Sequence, residues 1–211
     1  MKTTLAIATL VVAVSLGGLM SAPVPAESAP LLARPSIVPM TWELEFEYDR
    51  PRTIQVERAD GTIDWYVYVT YKVTNHTGRD QVFVPEMIMA TELGHIRRAG
   101  EDVPMRAIER IKRHVSNPLL ENPYHVVGLI FEGEEHARES VAIWPMPDQE
   151  ATRLRLFFGG LSGETQRVLD PATGEQVLTN KVKMVTYRMP GKPRTPHRRP
   201  FEKLEERWVM R

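Results

Sequence analysis

The stretch from Trp65 to Ala90, WYVYVTYKVTNHTGRDQVFVPEMIMA, limits the possible folds more than any other part of the chain. Trp65, Val67, Val69, Tyr71 and Val73 alternate with Tyr66, Tyr68, Thr70, Lys72 and Thr74, which is the two-residue period of a strand with one face in a core. Its β-branched and aromatic side chains suit a pleated surface. The breakers Asn75, His76, Thr77, Gly78, Arg79 and Asp80 precede a second β-rich run, Gln81 to Ala90. The segment therefore predicts two antiparallel strands joined by a turn. Tyr66 and Tyr68, on the nominally polar face, predict that the first strand is central and covered on both sides.

The same two-residue period recurs along the chain. Trp42, Leu44, Phe46 and Tyr48 alternate with Glu43, Glu45, Glu47 and Asp49, a half-buried strand with an acidic outer face. Strands are predicted at 42 to 48, 53 to 58, 64 to 74, 81 to 90, 125 to 131, 140 to 144, 152 to 158, 165 to 169, 175 to 179, 181 to 189 and 204 to 210. Gly159-Gly160 closes one of them, and Asp170-Pro171-Ala172-Thr173-Gly174 turns a hairpin over 165 to 179. Trp208 near the end of the last strand predicts a docked terminus.

One segment has helical spacing: Met105, Ile108, Ile111 and Val115 recur with the helix period. Asp102 is the expected N-cap, Pro104 suits the first turn, and Asn117-Pro118 ends the helix, giving a span of about 104 to 115. Its apolar stripe must be buried somewhere, which predicts a helix lying over an end or an edge of the sheets.

Short strands that do not alternate with helices argue against a parallel α/β sheet. They predict an all-β, immunoglobulin-like antiparallel β-sandwich, with the helix and the 165 to 179 hairpin as insertions and a β-barrel as the alternative. The run YKVTNHTG resembles strand ends in many exported immunoglobulin-like modules. That resemblance implies the same sandwich and no particular activity.

The N-terminus decides the expected compartment. Lys2 precedes an apolar run from Leu5 to Met20, and SAPVPAES follows, the layout of a secretory signal peptide with cleavage after Ala26. The expected organisation is a signal peptide over 1 to 26, an extended proline-containing leader over 27 to 40, and one β-sandwich domain over 41 to 211. The product would be periplasmic or extracellular, with no membrane insertion once the signal is removed. No cysteine is present, so thiolate metal sites, disulfides and Cys nucleophiles are excluded.

Lys+Arg and Asp+Glu both number 27, so no global field draws the chain to nucleic acid or to an anionic surface. A charged partner has to be met by a local patch. The best one is helical: Arg106, Arg110 and Arg113 fall on neighbouring turns of one face, where they could bind a phosphate, a carboxylate or an anionic envelope polymer. A second basic tract, Lys192, Arg194, His197, Arg198 and Arg199, lacks interleaved aromatics, which argues against base stacking.

Catalytic motifs are sparse, and no cofactor or metal is expected. Glu132, Glu134, Glu135 and His136, with Glu139, form an acidic segment that reads as a connection between strands and could hold a divalent cation. Ser162 in GGLSGE lacks the second glycine of a nucleophile elbow, because Glu164 takes that place. Tyr66 and Tyr68 would form a stacking platform if exposed. Asn75-His76-Thr77 matches the glycosylation sequon. The expected function is a non-catalytic binding or structural module of the cell envelope, with Arg106, Arg110 and Arg113 as candidate binding residues. The alternatives are a secreted hydrolase using residues 132 to 139, and an assembly module that pairs strands with a partner.

Overall fold

A computed structural model describes Pro35 and residues 41–147, 150–170, 172–189 and 200–211. The expected signal peptide, the leader apart from Pro35, and the second basic tract lie outside the described residues. The described chain is an antiparallel β-sandwich in which no sheet closes into a barrel.

The first sheet is built on β3 (Ile63–Asn75). One edge of β3 pairs with β8 (Gly133–Pro145), and the other pairs with β1 (Glu45–Tyr48) and β2 (Arg52–Glu57) in succession. Tyr48 lies opposite Tyr71 while Arg52 lies opposite Tyr68, so the outer strand carries one extra residue at a bulge. A slip of one residue exchanges faces. Leu44 and Phe46 therefore enter the core between the sheets, whereas Ile54 and Val56 enter a second core on the opposite face. Pro51, which has no N–H to give the ladder, sits in this interruption.

The second sheet runs β10 (Thr165–Leu169), β11 (Gln176–Arg188), β9 (Arg153–Gly159), β5 (Glu86–Thr91), β6 (Ile96–Arg98), and β12 (Glu202–Met210) also pairs with β11. Val67, Val69 and Trp144 of the first sheet pack against Leu154, Leu156 and Val185 of the second. Ile88, Phe157, Val182, Met184 and Val209 form a smaller cluster on the outer face of the second sheet. A short ribbon of β4 (Gln81–Phe83) and β7 (Gly128–Ile130) accompanies the two sheets.

The helix α1 (Met105–Val115) lies on the outer face of the first sheet and not over an end or an edge as expected, because Ala107, Ile108 and Ile111 cover the apolar face made by Tyr66, Tyr68, Val141 and Ile143. The cover expected over both faces of the central strand is present, and the two tyrosines are core, not a stacking platform. The N-cap is Pro104 instead of Asp102, which takes a left-handed φ of 58° in the preceding turn.

Several expected boundaries change. The run 81 to 90 breaks at Val84-Pro85, with β4 pairing β7 and β5 joining the second sheet. The expected hairpin between β3 and this run is therefore a crossing between sheets. Proline supplies no N–H to continue one ladder, and Gly160 lets β9 approach there: a Cβ on it would lie 2.2 Å from the Val84 carbonyl oxygen. The runs 175 to 179 and 181 to 189 are one strand, β11, whose first half pairs β10 and whose second half pairs β9 and β12. The acidic segment 132 to 139 is mostly the first half of β8, not a connection. Trp208 is docked as expected, half-buried against the inter-sheet core beneath the ammonium groups of Lys181 and Lys183.

Candidate anion-binding cleft

Successive helical residues are about 100° apart, which places Arg106, Arg110 and Arg113 within an arc of about 60° on α1. All three are exposed, and none has an ion pair or side-chain hydrogen bond among the described residues. Burial of Ile108 and Ile111 on the sheet fixes the rotation of the helix, and that rotation turns the three arginines away from the core. Glu109, the one carboxylate on the helix, makes no ion pair with them.

The helix lies alongside the edge strand β2, and two depressions flank the junction. One, about 350 Å³, is lined by Thr53, Ile54, Gln55, Trp65, Arg110, Arg113 and His114. The other, about 470 Å³, is lined by Arg58, Asp64, Tyr66, Arg106 and the Gly100 to Pro104 turn. The sequence-predicted arginines are thus shared between two neighbouring hollows. In the second hollow the Asp64 carboxylate is engaged, accepting from Arg58 Nε at 2.6 Å and from the Tyr66 hydroxyl at 3.4 Å. Burial, with the Asp64 charge, pushes the Tyr66 phenol pKa up, and Arg106 opposes that. The first hollow is bordered by Arg110, Arg113 and His114 of the helix and by the β2 edge and Trp65 of the sheet, with no carboxylate in its lining.

This composition suits an anion. Guanidinium groups offer forked donors to carboxylate or phosphate oxygens, and no acidic side chain in the lining competes for them. Trp65, Thr53 and Gln55 were not identified from sequence, because nothing local connects β2 to a helix some fifty residues later. His114 had a legible signal, since it lies four residues after Arg110.

The other candidates do not assemble into a site among the described residues. In β8, Glu135 and His136 approach to 3.9 Å as an exposed pair within an irregular stretch of the ladder, and no third ligand joins them among the described residues. Glu132 accepts from the Gly78 N–H at 2.9 Å, and Glu139 is engaged by the Asn117 amide. No group of three or more His, Asp or Glu side chains placed to hold a metal occurs among the described residues. Ser162 Oγ donates to the Trp42 carbonyl at 3.3 Å and accepts from the Glu164 N–H at 3.2 Å, holding a turn. Asn75 is fully buried. Its Nδ2 donates to the carbonyls of Arg79 and Ile130, both at 2.9 Å, so the sequon amide is occupied.

Comparison with protein-family models, with curated proteins and with solved structures found no match.

Proposed function

We propose that the chain is an exported, non-catalytic binding module of the cell envelope, and that the cleft between α1 and β2 takes an anionic ligand. The observation that carries this reading is the convergence of Arg110, Arg113 and His114 with Trp65 on one hollow that contains no carboxylate. Arg106 extends the basic strip along the helix. The N-terminal apolar run with its small-residue end supports export, and among the described residues no helix is long and apolar enough to cross a membrane. Strand addition is less well supported: the outer edge of β12 carries Glu202, Lys203, Glu205, Glu206 and Arg207, and charge on an edge discourages pairing.

Retention on immobilised dextran sulfate and on polygalacturonate tests the site. The purified protein should bind at low salt, and Arg110→Glu with Arg113→Glu should abolish retention. Arg167→Glu, on the exposed β10 to β11 hairpin, should leave it unchanged. Equal loss in both variants would reduce the effect to general charge and overturn the site. Cell fractionation with N-terminal sequencing tests export: a secreted or periplasmic species beginning at Glu27 is expected, and an uncleaved cytoplasmic chain would overturn that part.

A further inference from the structure

The cleft between α1 and β2 changes character along its length. Arg106 borders the hollow that also holds Arg58, while Arg110, Arg113 and His114 border the hollow that holds Thr53, Ile54 and Gln55. Residue numbers on α1 therefore rise as those on β2 fall, and each element gives its own ruler for the separation of the hollows. From Arg106 to Arg113 the helix rises about 10 Å. From Ile54 to Arg58 an extended chain advances about 13 Å. One phosphate or one carboxylate cannot occupy both places, whereas a short chain of linked units can.

The two hollows also differ in charge. The first is bordered by two guanidinium groups and His114, with no carboxylate. The second is bordered by two guanidinium groups, Arg58 and Arg106, and by two carboxylates, Asp64 and Asp102. Arg58 and Asp64 are paired at 2.6 Å. The open charges are then Arg106 and Asp102, neither of which has an ion pair or side-chain hydrogen bond among the described residues. The turns beside the second hollow carry further acids: Asp60 accepts from the Thr62 N–H and hydroxyl, and Glu101 accepts from the Arg98 N–H. Glu109 borders neither hollow. An anion is favoured in the first hollow, and a second anion gains nothing in the second.

A neutral group that both donates and accepts fits the second hollow, and a sugar hydroxyl is such a group. Asp102 is open to a hydroxyl proton, and Asp64 has acceptor capacity beyond its bonds from Arg58 and the Tyr66 hydroxyl. Arg106 offers donors to hydroxyl oxygens. We infer, resting on the anion-binding reading of the cleft, that its ligand is an acidic oligosaccharide of low charge density. The acidic sugar lies at Arg110 and Arg113, and a neutral sugar of the same chain lies at Asp102 and Arg106. A chain charged on every unit would set a carboxylate against Asp64 and Asp102, and that repulsion discriminates against it.

Calorimetric titration of the purified protein at low salt with three trisaccharides tests this. Aldotriouronic acid carries one glucuronate on two neutral xyloses, trigalacturonate carries a carboxylate on every sugar, and xylotriose carries none. The first should bind at one site, more tightly than trigalacturonate and about tenfold more tightly than glucuronate alone, since it engages two hollows at once. Xylotriose should not bind. Arg110→Glu with Arg113→Glu should abolish binding. Asp102→Asn and Asp102→Gly both introduce residues that accept the φ of 58° at this position. Each should raise trigalacturonate affinity about two- to fivefold without raising that of aldotriouronic acid.

Trigalacturonate, tripolyphosphate or glucuronate binding as tightly as aldotriouronic acid through the same arginines would leave an anion cleft in place and overturn this inference alone. So would failure to bind aldotriouronic acid while retention on dextran sulfate persists. Absence of both, or binding unchanged in the double arginine variant, would overturn the cleft itself.

Discussion

The Lys181 ammonium donates to Glu43 Oε2 at 2.8 Å, tying the start of the first sheet to the middle of β11 inside the sandwich. The Lys181 side chain is 4% exposed, and Glu164, 9% exposed, lies 3.4 Å from the same nitrogen. Burial disfavours the charge on Lys181, but the bonds to Glu43 and Glu164 outweigh it and hold the pKa above the usual lysine value. Removing one member of a buried pair leaves the other uncompensated. Lys181→Ala should cost about 3–5 kcal/mol in urea denaturation. Adding Glu164→Gln to Lys181→Ala should recover part of that loss, and a double variant no more stable than Lys181→Ala would contradict the account.

The buried amide of Asn75 stands in for a ladder between the β3 turn and β7. Besides its two donated bonds, its Oδ1 accepts from the Thr77 N–H at 3.0 Å and from Thr77 Oγ1 at 2.8 Å. Asn75→Ala should destabilise by roughly 2–3 kcal/mol, since buried carbonyls lose their donors. Loosening should appear in hydrogen exchange first at residues 76 to 82.

Helix docking rests on a few side chains. Ile108 and Ile111 are 1% exposed or less, so either replaced by alanine should cost about 2–5 kcal/mol. Arg110→Glu with Arg113→Glu, on the solvent side, should change stability by less than about 0.5 kcal/mol. That contrast separates loss of ligand from loss of fold in the retention experiment.

Five of the six tyrosines, at 48, 66, 68, 71 and 187, have raised pKa values with burial as the leading cause; Tyr71 and Tyr187 are pushed to about 12. A group whose pKa is raised by folding stabilises below its unfolded pKa, and that stability fades as pH rises through the folded value. Spectrophotometric titration of the native protein at pH 10 should therefore show well under half of the total tyrosinate absorbance. The remainder should appear together with alkaline unfolding.

At the acid end the sign reverses. Glu92 is held below its ordinary 4.5, although burial pushes it up, because its carboxylate accepts from the N–H and Oγ1 of Thr152 and from the Arg153 N–H. Its contribution is present above the unfolded carboxyl value and is lost as pH falls through the folded one. Denaturation midpoints measured through that window should fall with pH, and Glu92→Gln should flatten the decline.

Local chemistry was enough for the elements that answer to local rules. The alternation in WELEFEY and WYVYVTYKV, the hairpin around Asp170 to Gly174, and the 3.6-residue spacing from Met105 to Val115 each repeat a pattern imposed by backbone geometry on whichever face is buried. The arginine triplet was legible for the same reason, because helix periodicity alone puts three residues on one side.

Pairing was not local, and tertiary structure decided it. Nothing in the run 81 to 90 says that Pro85 divides it between a ribbon and a sheet, since the choice depends on β7 and β9, which arrive some forty to seventy residues later. The bulge at Pro51 reverses which residues of β2 are inside, an effect of register against β3. Trp65 comes to border the same hollow as Arg110 and Arg113, and Lys181 meets Glu43, only because hydrophobic burial of both faces of β3 brings distant segments to the same place. Burial is non-directional and pools the whole chain, so periodicity can reveal each strand while its neighbours, and the clefts they enclose, emerge only when the core has closed.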